Sequence, residues 1–321
     1  MASGPFAGLL VVDLTHVLAG PFCTMYLAEK GARVIKVERP DRGDDARQFG
    51  PFIAGQSGYF ASVNRGKESI LLDLKKSEDR QVFLSMVQAA DVLVENFKPG
   101  TMARLNLGYD ELKKLNPRLI YAAISGFGQS GPDKDKPAYD LIAQARGGLM
   151  SITGPEGGPP TRVGASVADL TAGLLALAGI SMALYHRQKT GQGMMVDVSL
   201  LDGQVAILEA ALMNYQASGV PPGPLGSRHP SITPFDSFMT ADRPVVICAG
   251  NDELFRRFCQ ALGLAALADD QRFATNERRT QNQASLKAIW PGTDRPGLGR
   301  AGRPPDCSAP GGDQTQDFGV L

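Results

Sequence analysis

The chain has 321 residues, of which 43% are hydrophobic and 21% are charged, a composition typical of globular proteins. This length predicts a sizeable core and more than one domain. The 33 Lys and Arg residues balance the 33 Asp and Glu residues, so the charge favours neither a nucleic-acid surface nor an anionic-membrane surface.

The N-terminal sequence lacks a basic segment followed by an apolar one, so it does not resemble a secretory signal. The longest apolar stretch, residues 167–185, is interrupted by Asp169, Thr171 and Ser181. We interpret this stretch as a buried core helix rather than a membrane span. We therefore expect a cytoplasmic protein that binds neither membrane nor nucleic acid.

The cysteines and histidines are widely spaced and form no C-x-x-C pair or zinc-ligand pattern, so we expect no metal. Free thiols in a reducing compartment are the favoured interpretation. These residues are Cys23, Cys248, Cys259, Cys307, His16, His186 and His229.

The first 200 residues alternate between strand and helix patterns, which favours a parallel α/β sheet of Rossmann-like organisation. The first strand is followed by THVLAGP (15–21) instead of G-x-G-x-x-G, so an NAD or FAD enzyme is not supported. A Walker A sequence is also absent. The predicted strands are 9–14, 33–38, 69–75, 91–96, 118–125 and 195–200, and the predicted helices are 20–31, 77–90, 109–115, 166–189 and 201–217.

Composition divides the chain into four parts. A large domain (1–217) is followed by a Gly- and Pro-rich linker and loop (218–231). A smaller, partial α/β domain (232–289) has a predicted strand and helix at its centre. The tail (290–321) is rich in Gly and Pro and has no periodicity, so we expect it to be disordered.

Asp169 stands where a loop becomes a helix. The pattern Ser166-x-x-Asp169 is similar to a capping box, and the helix dipole favours an acid in the first turn. The local pattern therefore explains Asp169 as a helix-capping residue. It does not exclude a role in chemistry.

Cations follow three of the predicted strands. Arg39, Lys75, Lys98 and Arg104 stand near strand ends, and ligands of open parallel sheets bind outside the carboxyl ends of the strands. Such cations could hold phosphates. Solvated loop charge is the alternative, and the pattern alone leaves both open.

Several blocks of sequence resemble the class III CoA-transferases, a family with carnitine-CoA transferase, formyl-CoA transferase and α-methylacyl-CoA racemase. The resemblance covers residues 7–289. It implies a Rossmann-like CoA-binding domain, a smaller α/β domain and an interlocked homodimer. The blocks lie at 13–44, 64–75, 90–100, 138–154, 163–180 and 189–203.

In such enzymes the Asp of the A-D-x-x-x-G block is the nucleophile, and here that residue is Asp169. The resemblance implies covalent catalysis through an aspartyl anhydride and an aspartyl-CoA thioester, with no metal and no permanently bound cofactor. The acyl-CoA thioester is a substrate. A helix N-terminus is expected to keep the Asp169 carboxylate ionised.

The resemblance also bears on the type of reaction and implies a CoA site. Tyr139 stands thirty residues before Asp169, where racemases of the family have His, so transfer is favoured over racemisation. The implied CoA-binding residues are His16, Val17, Leu18, Ala19, Arg39, Leu72, Lys75, Asn96, Phe97, Lys98, Arg104, Tyr139 and Asp140.

Residues 214–240 look similar to dicarboxylate-specific members such as the succinyl-CoA:glutarate type. Succinyl-CoA is then the expected donor, and Arg228 and His229 could pair with a distal carboxylate of the acceptor. Relatives continue with a helical pattern where the tail begins, so a truncation or frame shift is expected there. A racemase and a CoA-binding protein without activity are the alternatives.

Overall fold

Short runs of Val, Ile and Leu in the first 200 residues form the strands of a parallel sheet in this computed structural model, which describes residues 3–239, 244–289 and 319–320. The described residues form two units. The first comprises residues from 1–153 and 160–222, and the second comprises residues from 154–159 and 223–321. The predicted domain boundaries remain a prediction.

The first unit is built on a six-stranded, all-parallel sheet with the order β5-β2-β1-β6-β7-β8. The predicted parallel α/β sheet is therefore confirmed. A small hairpin of β3 and β4 adds to this unit. The strands are β1 (Leu10–Asp13), β2 (Arg33–Glu38), β3 (Phe52–Ile53), β4 (Gln56–Ser57), β5 (Glu68–Leu71), β6 (Val92–Glu95), β7 (Ile120–Ser125) and β8 (Met195–Ser199).

Helices separate these strands along the chain, and short 3₁₀ helices cover Asp45–Gln48 and Leu149–Ile152. The helices are α1 (Ala19–Glu29), α2 (Gly58–Asn64), α3 (Ser77–Ala89), α4 (Thr101–Arg104), α5 (Tyr109–Leu115), α6 (Asp140–Arg146), α7 (Val167–Thr190), α8 (Leu200–Ala206) and α9 (Ala210–Ser218).

The central strands have no exposed face. Every residue of β6 and β7 is buried, as expected for strands covered by helices on both sides of a parallel sheet. On one side, α1 and α7 pack closely together. A side chain at Gly173 of α7 would place its Cβ 2.7 Å from the carbonyl oxygen of Ala19, so this contact requires glycine.

Among the described helices, α7 alone is long and apolar enough to cross a membrane, a criterion that the core helices of globular proteins also meet. Its buried side is made of small residues that pack into the core of the first unit. This side includes Ala168, Ala172, Ala176, Ile180 and Ala183. One side of α7 therefore lies in the core, as the interpretation of 167–185 as a core helix requires, whereas Leu174, Leu175, Met182 and Tyr185 on the same helix are exposed.

Two predicted elements differ from the structure. The predicted strand 69–75 ends at Leu71, because the backbone turns at Asp73, whose carbonyl accepts a hydrogen bond from the Lys76 amide. The predicted helix 201–217 is interrupted between α8 and α9 at Glu209, where φ is +52°. A left-handed backbone at a residue other than glycine ends a right-handed helix.

The second unit pairs β9 (Phe235–Met239) with β10 (Pro244–Cys248) in antiparallel fashion, and β11 (Gly319–Val320) lies parallel to β10. Apart from these two residues, the expected disordered tail lies outside the described residues. The helices of this unit are α10 (Asp252–Ala261), α11 (Ala265–Asp269), α12 (Asn276–Gln281) and α13 (Gln283–Ile289).

The core of the second unit surrounds a buried arginine. The Arg279 guanidinium donates hydrogen bonds to the carbonyl of Thr233 at 2.8 Å and the carbonyl of Phe273 at 3.1 Å. It also pairs with the Asp252 carboxylate at 2.8 Å. These bonds satisfy a buried charge that would otherwise be costly.

Candidate active site

A cavity of about 200 Å³ opens at the carboxyl ends of β6 and β7 in the first unit. Such ends are where open parallel sheets bind their ligands. The lining residues come from the loops after β1, β6 and β7 and from the start of α7. They are His16, Val17, Leu18, Ala19, Asn96, Phe97, Lys98, Pro99, Ile124, Ser125, Gly126, Lys136, Pro137, Ala138, Tyr139, Asp169 and Leu200.

The loop after β1 is held in place by side chains from other strand ends. The Asn96 side chain accepts a hydrogen bond from the His16 amide at 2.9 Å and donates one to the His16 carbonyl at 2.8 Å. The Lys36 ammonium donates to the Thr15 carbonyl at 2.6 Å. Hydrogen bonds with side chains therefore fix two successive peptide groups of the loop, Thr15–His16 and His16–Val17.

Val17 has a strained backbone. Its φ is +65°, an unusual conformation for a β-branched residue. Its amide donates a hydrogen bond to the Asp44 carboxylate at 3.0 Å, which helps to hold this conformation. Strained residues tend to occur at functional sites, where the surrounding structure enforces them.

Four buried charges lie beneath this loop, and we call them the buried ion cluster (Asp13, Lys36, Asp44 and Lys67). Asp13 pairs with Lys67 at 3.0 Å, and Lys36 pairs with Asp44 at 2.9 Å. Burial alone would raise the pKa of Asp13, but the two lysines and two hydroxyl hydrogen bonds hold it well below its usual range. Burial lowers the pKa of Lys67 to about 8 although Asp13 opposes this change.

Asp169 lies in the first turn of α7 and lines the cavity. None of the described residues donates a hydrogen bond to its carboxylate, which lies at the cavity wall. Burial, and secondarily the Asp140 carboxylate, raise the pKa of Asp169 to about 7. The expectation that the helix N-terminus keeps this group fully ionised at neutral pH is therefore wrong, because burial raises its pKa to about 7.

The predicted cap on this helix is also wrong, because the Ser166 side chain makes no capping hydrogen bond. Asp140 takes this role from a neighbouring helix. Its carboxylate accepts a hydrogen bond from the Ala168 amide at 2.9 Å and another from the Gln144 side chain at 2.8 Å. Gln144 in turn accepts a hydrogen bond from the Val163 amide at 2.9 Å. This buried chain of bonds fixes the start of α7.

Tyr139 directly precedes α6 and lines the cavity with 76% of its surface exposed. Lys136 also lines the cavity, and sequence reasoning missed it. Its ammonium pairs with Asp133 at 2.6 Å. The available signal was its position in the loop after β7, at the same edge of the sheet as Lys98.

A second cavity of about 300 Å³ shares His16, Phe97 and Lys98 with the first. Arg39 faces this cavity and pairs with Asp45 at 2.8 Å. The full lining is Leu14, Thr15, His16, Val37, Glu38, Arg39, Gly43, Asp44, Asp45, Phe97, Lys98 and Thr101.

A buried acid supports the loop between the two cavities. The Glu95 carboxylate accepts hydrogen bonds from the Phe97 amide at 2.7 Å and from the Tyr121 hydroxyl at 3.2 Å. Burial raises the pKa of Glu95 to about 7, although both hydrogen bonds oppose this. Phe97 also packs against the His16 ring at 5.5 Å between centroids.

Four of the predicted CoA-binding residues do not line the two cavities described above. Leu72 is buried in the core with Phe83. The Lys75 side chain is exposed, and the Asp140 carboxylate caps α7. Arg104 donates a hydrogen bond at 2.9 Å to the hydroxyl of Thr101, which lines the second cavity. Their contacts with CoA remain predictions.

The two predicted substrate residues belong to the second unit. Arg228 pairs with Glu156 at 3.3 Å. The His229 amide donates to the Phe235 carbonyl at 2.9 Å, and its ring nitrogen Nδ1 accepts from the Ser231 amide at 3.1 Å. Their role with the acceptor remains a prediction. In the part of the chain that the structure describes, no group of three or more His, Cys, Asp or Glu side chains is arranged to hold a metal ion.

The family model of CoA-transferase family III matches residues 6–290. Acetyl-CoA:oxalate CoA-transferase of Acetobacter aceti is 55% identical over 286 residues, which are 89% of this chain and 74% of that protein. Succinate–glutarate CoA-transferase of Agrobacterium fabrum is 44% identical over 292 residues, 89% of this chain and 73% of that protein.

Solved structures agree with this match. A CAIB/BAIF family protein from Brucella suis superposes with a TM-score of 0.78 at 41% identity, covering 89% of this chain and 77% of that one. A protein from Mycobacterium tuberculosis superposes with a TM-score of 0.81 at 34% identity, covering 90% and 77%. The fold, the cavity that contains Asp169 and these matches together show that the chain belongs to CoA-transferase family III.

Proposed function

We propose that this protein transfers CoA from an acyl-CoA thioester to a small dicarboxylic acid, with Asp169 as the nucleophile. The observation that carries the proposal is the unpaired Asp169 carboxylate, which faces a cavity at the carboxyl ends of the strands. A carboxylate that only capped a helix would accept hydrogen bonds from backbone amides. For α7, Asp140 does this instead.

The two cavities share His16, Phe97 and Lys98, and each accommodates one part of the CoA molecule. The thioester must reach Asp169, so the first cavity receives the pantetheine arm and the second receives the nucleotide. Arg39 and Lys98 line the second cavity and supply positive charge for its phosphates. His16 and Phe97, which line both cavities, then lie beside the middle of the molecule.

The reaction begins when an Asp169 oxygen attacks the thioester carbonyl carbon and the C–S bond breaks. This step gives an aspartyl–acyl anhydride and a CoA thiolate. The thiolate attacks the aspartyl carbonyl, which releases the donor acid as its carboxylate and leaves an aspartyl-CoA thioester. The acceptor carboxylate then attacks this thioester, and the displaced thiolate attacks the acceptor carbonyl of the new anhydride. The new acyl-CoA leaves and the Asp169 carboxylate is restored.

The environment of Asp169 suits this role. A carboxyl group with a pKa of about 7 is ionised in about half of the molecules at neutral pH. It is also more basic, and hence a stronger nucleophile, than an exposed aspartate. The partial burial that raises the pKa also limits the access of water to the anhydride.

The names of the relatives support a small dicarboxylic acid as acceptor, because oxalate and glutarate are both dicarboxylic acids. Succinyl-CoA is the donor expected from the sequence, whereas the relative at 55% identity is named for acetyl-CoA. We propose that Arg228 and His229 pair with the distal carboxylate of the acceptor.

A racemase is the less favoured alternative. Moving an α-proton requires an acid/base pair, and Tyr139 stands where racemases of the family carry His. A CoA-binding protein without activity is the other alternative, and it predicts CoA binding with no product.

We propose a homodimer because the surfaces of α7 and α9 expose several large apolar side chains, which a partner subunit would cover. These side chains are Leu174, Leu175, Met182, Tyr185, Leu212, Met213 and Tyr215. Met182→Lys is expected to convert the dimer to a monomer in sedimentation velocity, whereas Val82→Lys on α3 is not.

A cytoplasmic location is supported by the free cysteines, of which Cys23 and Cys259 are buried.

The deciding experiment incubates the protein with succinyl-CoA or acetyl-CoA and with oxalate, glutarate or mesaconate, and detects new acyl-CoA by mass spectrometry. Asp169→Ala is expected to abolish every product. Asp202→Asn changes an exposed acid in the first turn of α8 and is expected to retain activity. Hydroxylamine is expected to trap a hydroxamate at Asp169 in the presence of donor. CoA binding without any product or adduct would contradict the proposal.

A further inference from the structure

Two serines lie side by side at the carboxyl ends of neighbouring strands. Ser125 ends β7 and Ser199 ends β8, and the two residues are partners in the parallel register. Each is 6% exposed. They are therefore matched in residue type, in burial and in position on the sheet.

The two hydroxyl groups differ in their partners. The Ser199 hydroxyl accepts a hydrogen bond from the Asp202 amide at 3.1 Å and so caps α8, and it lies 3.5 Å from the Gly126 carbonyl. The buried Ser125 hydroxyl has no hydrogen-bond partner among the described residues. A buried hydroxyl without a partner costs free energy in the empty protein.

Ser125 lines the first cavity together with Asp169 and Tyr139. Ser125 is therefore part of the wall of the proposed substrate site, and a ligand that reaches its hydroxyl would supply the missing hydrogen bond. Leu18, Ile124 and Leu200 line the same cavity and give it an apolar component. A ligand that fits these apolar side chains and the Ser125 hydroxyl combines methylene groups with hydrogen-bonding groups.

We propose that Ser125 is a substrate-binding residue whose hydroxyl hydrogen-bonds an amide group of the pantetheine arm of CoA. This inference rests on the proposed function, which places the arm in the first cavity. The arm contains two amides joined by methylene groups, and a serine hydroxyl can donate to an amide carbonyl or accept from an amide N–H. The charged phosphates of CoA belong to the second cavity.

The test measures binding by titration calorimetry with two probes, free CoA and 3′,5′-ADP, which lacks the pantetheine arm. Ser125→Ala is expected to raise the dissociation constant of CoA by about 3- to 10-fold, the range that one hydrogen bond gives. Its affinity for 3′,5′-ADP is expected to stay at the wild-type value. Ser199→Ala, the matched control, is expected to leave both affinities unchanged, because its hydroxyl is used inside the protein.

Thermal unfolding separates a binding role from a structural one. Ser125→Ala removes an unpartnered buried hydroxyl, so its midpoint is expected to equal or exceed the wild-type midpoint. Ser199→Ala loses a helix cap and is expected to unfold at a lower temperature. If Ser125→Ala does not fold, Ser125→Cys keeps the shape and weakens the hydrogen bond, and the same comparison applies.

Equal CoA affinity in Ser125→Ala and in the wild type would overturn the role of Ser125. A parallel loss of CoA and 3′,5′-ADP binding would also overturn it, because that result indicates a structural defect. If the wild-type protein itself binds no CoA, the proposed function fails and the inference fails with it.

Discussion

Two groups of buried or half-buried charged side chains lie near the first cavity, and their charges are balanced in opposite ways. The buried ion cluster contains two acids and two lysines, each paired at 3.0 Å or less. The second group consists of two acids, Asp140 and Asp169, and among the described residues Arg162 is the cation that pairs with it, half-exposed and 3.9 Å from Asp140. The balanced group holds the loop after β1, whereas the unbalanced group contains the proposed nucleophile.

The comparison shows how one site combines rigidity with reactivity. Charges that are neutralised by partners in the interior fix geometry, because separating them is costly. A charge that lacks a partner is available for reaction, and its pKa rises toward neutrality. The following experiments change one group or the other.

Removing a member of the buried ion cluster is expected to have the largest effect on stability. Lys67→Met leaves the Asp13 carboxylate without its nearest cation, so the free energy of unfolding is expected to fall by about 3 to 5 kcal/mol. Urea unfolding measures the change. Arg65→Met, which removes an exposed pair with Glu29, is expected to cost less than about 1 kcal/mol. Similar losses in both variants would contradict the assigned role of the cluster.

Asp169→Asn is expected to stabilise the folded protein at alkaline pH. The folded-state pKa of Asp169 is raised to about 7, so the stability gained from its protonated form is lost as pH rises through 7. The variant avoids this loss and is expected to gain about 1 to 2 kcal/mol at pH 8, discounted for partial exposure. Below about pH 4 the two proteins are expected to differ little. Urea unfolding at both pH values tests whether the variant is more stable than the wild type only at the higher pH.

The pH dependence of turnover is expected to follow the same group. The acid limb of kcat/KM is expected near pH 7, because transfer requires ionised Asp169. Asp140→Asn keeps an oxygen for the Ala168 amide but removes the like charge, so the limb is expected to move to lower pH. Gln144→Ala removes a hydrogen bond to Asp140 without changing charge and serves as the control. An unmoved limb in Asp140→Asn would exclude the electrostatic coupling of the two acids.

Val17→Gly is expected to have the smallest effect on stability, and it is expected to stabilise the protein, which is unusual for a substitution by glycine. Glycine adopts φ of +65° without strain, so the free energy of unfolding is expected to rise by up to about 1 kcal/mol. Val82→Gly on the exposed surface of α3 is expected to lower it by roughly 0.5 kcal/mol. Chemical denaturation of both variants measures the contrast, and equal losses would show that Val17 is not strained.

Much of the first unit is predictable from sequence because its signals are local. The buried strands β6 and β7 are continuous apolar runs, and Asp169 lies in a block that resembles a known family. The cap from Asp140 is not predictable in this way, because the acid and the amide it binds are 28 residues apart. The break at Glu209 is also missed, since nothing in residues 201–217 marks a left-handed residue.

The site residues likewise divide into those that the sequence identifies and those that only the three-dimensional structure distinguishes. Strand-end residues such as Asn96 and Lys98 are identified by position and resemblance. The sequence marks only one of the two serines, because Ser199-x-x-Asp202 is similar to a capping box, whereas nothing near Ser125 indicates a hydroxyl without a partner. The two serines are distinguished by what surrounds each hydroxyl in three dimensions.

The loop after β1 has a consequence for how the site assembles. The amides of Thr15, His16 and Val17 donate to side chains of Asp13, Asn96 and Asp44, which are distant from one another in sequence. These bonds exist together only when β1, β2 and β6 are already paired. Hydrogen exchange at the three amides is therefore expected to require opening of the sheet rather than a local fluctuation of the loop. The binding loop and the centre of the sheet then form one cooperative folding unit.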